Sequence, residues 1–273
     1  MSLRIFGQAS VTMNQIQQQI DLIANNLANM QTPGYKARSA EFSSLLFQNI
    51  NNLSAQENLE NRQTPDGIRV GVGARLGSAN ANFQIGVAQT TERSLDVMLT
   101  NENHFFQVQN NEQDEVQYTR DGAFYLQPIN ENTVMLITKD GHPVVGVNGP
   151  IQINGNIDSI QISQNGAVSV SRDGQEEIVG TIAVSEITQP RLLESIGDNL
   201  FRLPNLAELG LNLGDIVQIP QTADVMESGT LEMANVNLAE QMTQLMTAQR
   251  AYQFNARSIT MADQMQGLIN QIR

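Results

Sequence analysis

A chain of 273 residues, 40% hydrophobic and without cysteine, is long enough to bury a sizeable core and excludes disulfide and thiolate chemistry. A net charge of −13 at pH 7 and a pI near 4.5 argue against nucleic acid as a partner, whose phosphates need Lys and Arg clustered on one face. Apolar residues nowhere run for the roughly 18 positions a membrane-spanning helix needs, and MSLRIFGQASVTMNQIQ lacks an apolar core of signal-peptide length, so neither membrane insertion nor a cleaved signal is expected.

Residues 1–33 are expected to form an N-terminal helix. Met13, Ile16, Ile20, Ile23, Leu27 and Met30 recur in steps of three and four, which lines one helix face with a heptad seam. Pro33 disfavours helical backbone at Thr32, and Gly34 suits a turn, so the helix stops at Gln31-Thr32-Pro33-Gly34. Asn25, Asn26 and Asn29 are poor helix formers near that end and either fray it or hydrogen-bond a neighbouring molecule.

Residues 34–72 read as an extended connector, Tyr35 to Phe42, followed by a mobile polar loop, Asn49 to Gln63. Within that loop Asn52-Leu53-Ser54 matches a glycosylation sequon, a three-residue pattern frequent by chance. From Ile68 to Val72, and again from Ala79 to Val87, the pattern changes to short period-two runs.

A β-rich body is expected over 73–225. Candidate strands are Phe105 to Gln109, Val116 to Thr119, Ala123 to Gln127, Val134 to Thr138, Val144 to Val147, Ile157 to Ile162, Ala167 to Ser171 and Ile178 to Ile187. Asp121-Gly122, Asp140-Gly141, Asn148-Gly149, Asn165-Gly166 and Asp173-Gly174 supply the positive φ of tight reversals, which makes the body antiparallel.

The last segment, 226–273, has neither Pro nor, before Gly267 and after Gly229, any Gly, and Leu231 to Arg273 reads as one long helix. Leu238, Met242, Leu245, Tyr252, Ala256 and Ile259 form its seam, continued after one irregular step by Ala262, Met265, Ile269 and Ile272. Such a stripe contributes roughly 1.5–3 kcal/mol per buried side chain only when another surface covers it. The other terminal seam is the natural cover. The fold class is α+β: an antiparallel β-rich central body inserted between N- and C-terminal long helices that pair as a coiled coil.

Chemistry is sparse. His104 and His142 are far apart with no Cys or paired carboxylate at ligand spacing, the Asp-Gly pairs sit where turns belong, and Gly71-Val72-Gly73 does not open a helix after a strand. No catalytic residue, metal or cofactor is expected. The methionines Met233, Met242, Met246, Met261 and Met265 serve as core filler or as an adaptable binding face.

The stretch ANNLANMQTPGYK, Ala24 to Lys36, resembles the N-terminal signature of bacterial flagellar axial proteins, the rod and hook family. The C-terminal segment is similar too, through Gly229, Leu231, Glu232, Asn235, Val236, Leu238, Ala239, Glu240, Met242, Ala248 to Tyr252 (AQRAY, with Gln249 and Arg250), Asn255, Ile259, Thr260, Ala262 and Asp263. Between them Leu95-Asp96, Phe105-Phe106-Gln107-Val108, Tyr118 to Phe124 (YTRDGAF) and Asn199-Leu200-Phe201 resemble the distal rod type first and the proximal type second. Two positions depart from the family pattern: Asn101-Glu102-Asn103-His104 replaces an Asp-Gly-rich turn, and Asn237 stands where Asp is common.

The resemblance implies a structural subunit of the basal-body rod, exported by the flagellar apparatus without a cleaved signal and polymerising helically through its terminal helices. The implied partners are further copies, neighbouring rod and hook proteins, and the export apparatus. Assembly is then expected to use Met13, Ile16, Ile20, Ile23, Asn25, Asn26, Leu27, Asn29, Pro33, Gly34 and Tyr35 at one end. At the other end it uses Leu231, Asn235, Leu238, Met242, Leu245, Gln249, Arg250, Tyr252, Asn255, Ile259, Met265 and Ile269. The alternative is a hook-type protein, or an export cap or adaptor that holds a partner with the same coiled coil.

Overall fold

The computed structural model describes residues 2–44, 48–50, 68–70, 74–110, 115–155, 157–172, 174–197, 199–206, 210–220 and 224–272. Apart from Asn49 and Ile50, the expected polar loop lies outside the described residues, as do the sequon, Gly71-Val72-Gly73 and Asp173. The chain divides into two compact units, one of residues 1–27, 38–80 and 238–273, the other of residues 28–37 and 81–237. This division differs from expected boundaries at 33, 72 and 225. Arg38–Ser44 pairs with Ala74–Ala81 and groups with the helices, whereas 28–37 and the segment up to 237 group with the body.

In the helical unit the N-terminal helix spans Ser2–Ala28, 27 residues or about 40 Å. It ends before Met30, which falls in the turn where Thr32 N donates to Asn29 O at 3.0 Å. The C-terminal helix spans Leu238–Ile272, 35 residues, and so starts seven residues later than Leu231. The correction has a physical cause. Thr230–Glu232 is recruited as a strand, paired antiparallel with Ala88–Thr90, and Met233 N donates to Val87 O at 2.9 Å. Among the described residues no helix is long and apolar enough to cross a membrane.

The body contains one six-stranded sheet in the order Glu194–Gly197, Leu200–Arg202, Val116–Thr119, His104–Gln109, Val184–Ile187, Val217–Gln218, with antiparallel pairing throughout. Its central strand is buried on both faces, so the consecutive Phe105 and Phe106 serve two cores. Phe105 meets Phe83 and Phe201 edge to face, at ring distances of 5.5 and 6.2 Å. Phe106 packs edge to face on Phe124 at 5.1 Å, in the larger core with Leu136, Val144, Ile153 and Val168. Buried aromatics of this kind are worth about 0.5–1.5 kcal/mol per pair beyond their area.

The body also holds two three-stranded antiparallel sheets, Gln152–Asn154, Thr133–Thr138, Phe124–Asn130, and Ser159–Ile162, Ala167–Arg172, Gln175–Thr181, besides two-stranded pairs such as Met226–Ser228 with Val97–Leu99. The expected strand Ile178 to Ile187 is thus two strands. Gln175–Thr181 belongs to the second of these sheets and Val184–Ile187 to the six-stranded one, with Ile182 N donating to Gly166 O at the crossing. The expected strand Ala79 to Val87 is likewise corrected, since Ala74–Ala81 carries the strand and 82–87 is irregular.

Gly141, Gly149, Gly166 and Gly174 take positive φ as the turn reading requires, but Gly122 does not. Asp121-Gly122 is no hairpin turn. A Cβ at Gly122 would lie 1.7 Å from Val97 O, and Val97 N donates to Gly122 O at 3.1 Å, so the residue is glycine because two backbones touch.

Candidate functional site

Three charged side chains meet inside the body, each at most 3% exposed: Lys36, Arg120 and Glu232. Lys36 lies two residues after Gly34 of the Pro33-Gly34 turn, Arg120 directly follows the strand Val116–Thr119, and Glu232 closes the strand Thr230–Glu232. Lys36 Nζ donates to Glu232 Oε1 at 2.7 Å, and Arg120 Nε and Nη2 donate to Glu232 Oε2 at 3.0 and 2.8 Å. Gly86 N adds a bond to Oε1 at 2.8 Å. The remaining donors are also satisfied: Lys36 Nζ reaches Phe83 O and Gln84 O, and Arg120 Nη1 reaches Asn101 O and His104 O at 2.6 and 2.7 Å.

The Asn101 to His104 stretch that departs from an Asp-Gly turn forms an Asx turn instead, Asn103 N donating to Asn101 Oδ1 at 3.2 Å. Its carbonyls cap the guanidinium. Gly34 lies against the same cluster, with its N–H donating to Glu232 O at 2.8 Å and its backbone in the left-handed region at φ 69°.

Two asparagines hold the adjoining chain, one in each unit. In the body, Asn235 Oδ1 accepts from Ala37 N at 2.7 Å while its Nδ2 donates to Asn82 O and Gln84 O. In the helical unit, Asn26 grips Arg38 through both backbone groups, at 2.8 and 2.9 Å, and donates to Gln241 Oε1 at 3.2 Å.

Of the N-terminal assembly candidates, Ile23, Asn26, Gly34 and Tyr35 are buried, Met13, Ile16, Ile20, Leu27, Asn29 and Pro33 half-buried, and Asn25 exposed. Pro33 O accepts from Asn199 Nδ2 at 2.9 Å. Leu231, Asn235, Leu245, Tyr252, Asn255 and Ile259 are half-buried, whereas Leu238, Met242, Gln249, Arg250, Met265 and Ile269 are exposed. The covered stripe of the C-terminal helix runs Gln241, Leu245, Ala248, Tyr252, Asn255, Ile259, Ala262, in alternating steps of four and three. It shares Leu245, Tyr252, Ile259 and Ala262 with the expected seam, whose Ala256 is also half-buried, whereas the seam's Leu238, Met242, Met265 and Ile269 are exposed.

The family models for "Flagella basal body rod protein", "Flagellar hook protein FlgE/F/G D1 domain" and "Flagellar basal body rod FlgEFG protein C-terminal" match residues 9–36, 100–170 and 227–272. The chain is 41% identical over 280 residues to the flagellar hook-basal body complex protein FlhP of Bacillus subtilis (strain 168), across 99% of this chain and 100% of the relative. It is 33% identical over 276 residues to the flagellar basal-body rod protein FlgG of Borreliella burgdorferi, across 99% of each. It is 32% identical over 268 residues to FlgG of Bacillus subtilis, across 94% of this chain and 95% of the relative.

The chain belongs to the flagellar basal-body rod protein family. That family is structural, and this member is a structural component of the basal-body rod. Each of the three matched rod-family segments contributes one charge to the buried cluster: Lys36 from the first, Arg120 from the second, Glu232 from the third. Sequence reasoning missed the cluster as a unit. Its only local signal is a charge inside otherwise apolar or turn-forming motifs.

Electrostatics in this rod-family junction follow from its burial. Burial, then the neighbouring Arg120, pushes the Lys36 amine down to about 8, against the pull of Glu232. Burial alone would raise the Glu232 carboxyl, but Arg120 and Lys36 outweigh it and hold the group below its ordinary value. Asp121 is pushed up by burial, partly offset by the Ala123 N–H and Lys139.

Between pH 8 and 10.5 the unfolded chain holds a proton on Lys36 that the folded chain has released, so this group makes stability rise with pH across that window. A side-chain NMR titration is expected to place the Lys36 Nζ midpoint near 8 rather than 10.5. A midpoint at the upper value would contradict the dry, doubly cationic environment.

Proposed function

We propose that this chain is a rod subunit that polymerises helically through its terminal helices, and that its two helices pair antiparallel as a coiled coil. The hydrogen bond from Asn26 to Gln241 and the covered stripe of the C-terminal helix support the pairing. The observation that carries the assembly reading is a second apolar stripe on the same helix. Phe254, Met261, Met265 and Leu268 follow steps of seven, four and three, Ile269 lies four after Met265, and each is more than half exposed.

Five such side chains, at roughly 1.5–3 kcal/mol each when buried, are worth about 7–15 kcal/mol. That only matches the estimated association cost of about 4–15 kcal/mol. One pairwise contact breaks even; several neighbours around each subunit give a stable lattice, which is the geometry of open, heterologous assembly. Further copies and neighbouring rod and hook proteins are the partners. Export through the flagellar apparatus without a cleaved signal, and residence in the basal body outside the cytoplasm, complete the reading.

Electron microscopy of concentrated full-length protein tests it, beside a variant carrying Phe254→Asp and Met261→Asp. The parent is expected to form thin tubes or rods; the variant is expected to stay monomeric with unchanged helicity. Assembly of the variant as well as the parent would remove the exposed stripe from the interface. A parent that stays monomeric at every concentration yet binds one secreted partner tightly would move the reading to a cap or adaptor.

A further inference from the structure

The buried cluster joins residues very far apart in the chain, with Glu232 lying 196 positions after Lys36 and 112 after Arg120. Its charge balance is asymmetric. Two cations, from segments that appear early in the chain, have one buried anion, and that anion comes from the last strand of the body. Glu102 also acts on both cations, but it is exposed, so water screens it.

Until Glu232 arrives, closing the body around Lys36 and Arg120 confines two positive charges together in a dry site. An unpaired buried charge is among the most costly things a fold can contain. The same residue also organises backbone. Its carboxylate holds Gly86 N, its carbonyl holds Gly34 N, and its strand pairs with Ala88–Thr90. Charge pairing and the closing of the Gly34 turn therefore happen together.

We infer that Glu232 is a folding lock: the body reaches its native state only when the strand Thr230–Glu232 docks and pairs its carboxylate with Lys36 and Arg120 at once. A chain that emerges N-terminus first, from any channel or ribosome, then holds its body open until about residue 232 is free. The three-charge arrangement makes completion of the chain a condition of folding. A purely apolar strand at this position would impose no such condition, because the earlier segments could already collapse on one another.

The test uses the full chain in four forms: parent, Glu232→Gln, Lys36→Met and the double variant. Glu232→Gln keeps size and a hydrogen-bond acceptor while removing the charge. Native-state hydrogen exchange at Phe124, Leu136 and Val144, whose amides bond Leu95 O, Ile151 O and Leu136 O in the core, is expected to quicken together by at least a hundredfold. Adding Lys36→Met to that variant is expected to bring exchange back to within tenfold of the parent, because it removes one of the two unneutralised cations.

Refolding of Glu232→Gln is expected to slow at least tenfold. Acceleration of unfolding alone would reduce Glu232 to a stabiliser of a body that folds without it, and would overturn the lock. Exchange changes confined to Thr91 and Met233, beside the strand, would overturn it as well. If the single variant does not fold, the double variant decides: recovery of the fold supports the lock, and its absence refutes it.

Discussion

Replacing Gly34 by Ala is expected to destabilise the body by more than about 4 kcal/mol, a magnitude reserved for substitutions that disrupt a specific structural feature. The left-handed backbone at φ 69° accounts for only about 1–2 kcal/mol of this. The remainder is steric. A Cβ built on Gly34 lies 2.5 Å from Asp121 N, 2.6 Å from Arg120 C and 2.7 Å from Asp121 Cα, all backbone atoms that no rotamer change can move. To relieve the overlap the turn must withdraw, which breaks the bond from Gly34 N to Glu232 O and displaces the neighbouring Lys36 from its carboxylate.

Gly141→Ala is the matched control, because Gly141 has φ 87° but nothing within 4 Å of its Cβ position. It is expected to cost about 1–2 kcal/mol, the backbone term alone. Urea unfolding of both variants, followed by circular dichroism, separates the two contributions. Equal midpoints for Gly34→Ala and Gly141→Ala would show that the close approach to Asp121 is unimportant.

Changing Leu245 and Ile259 together to Asp is expected to abolish assembly and to lower helicity, while the body melts as in the parent. Both residues lie on the covered stripe with Ala248 and Ala262, so each carboxylate is placed where an apolar side chain is partly shielded from water. Desolvating a charge there costs several kcal/mol unless the helix moves away from its cover. The body keeps its own two cores, one around Phe106 and Leu136 and one around Phe83, Phe105 and Phe201.

The contrast with Phe254→Asp and Met261→Asp is informative. Those substitutions are expected to remove assembly but leave helicity intact, since they lie on the exposed stripe. If the Leu245 and Ile259 variant kept both the helicity and the assembly of the parent, the covered stripe would be dispensable and the coiled-coil reading would fail.

Periodicity was a good guide wherever the deciding contacts are local. The spacing of Met13, Ile16, Ile20 and Ile23 suffices for a helix, alternation suffices for Val116 to Thr119, and Asn165-Gly166 suffices for a reversal, because each reflects backbone preferences within a few residues. It misled where a distant partner overrides the local preference. Leu231 and Glu232 extend a helical pattern, yet they form a strand because Ala88–Thr90 and the two buried cations are available to receive them. Asp121-Gly122 has the composition of a hairpin turn, yet its glycine serves the close approach of Val97.

By itself, then, the sequence determined that this chain has two long terminal helices around a β-rich body, and its terminal motifs already pointed to the rod and hook family. The tertiary structure alone decided which stripe of the C-terminal helix is covered and which is left exposed, since Leu245 and Phe254 are equally apolar to any periodic analysis. It alone also joined Lys36, Arg120 and Glu232. Each looks like an ordinary solvated charge in its own segment, and only packing that removes water from all three makes them a single ion-paired site.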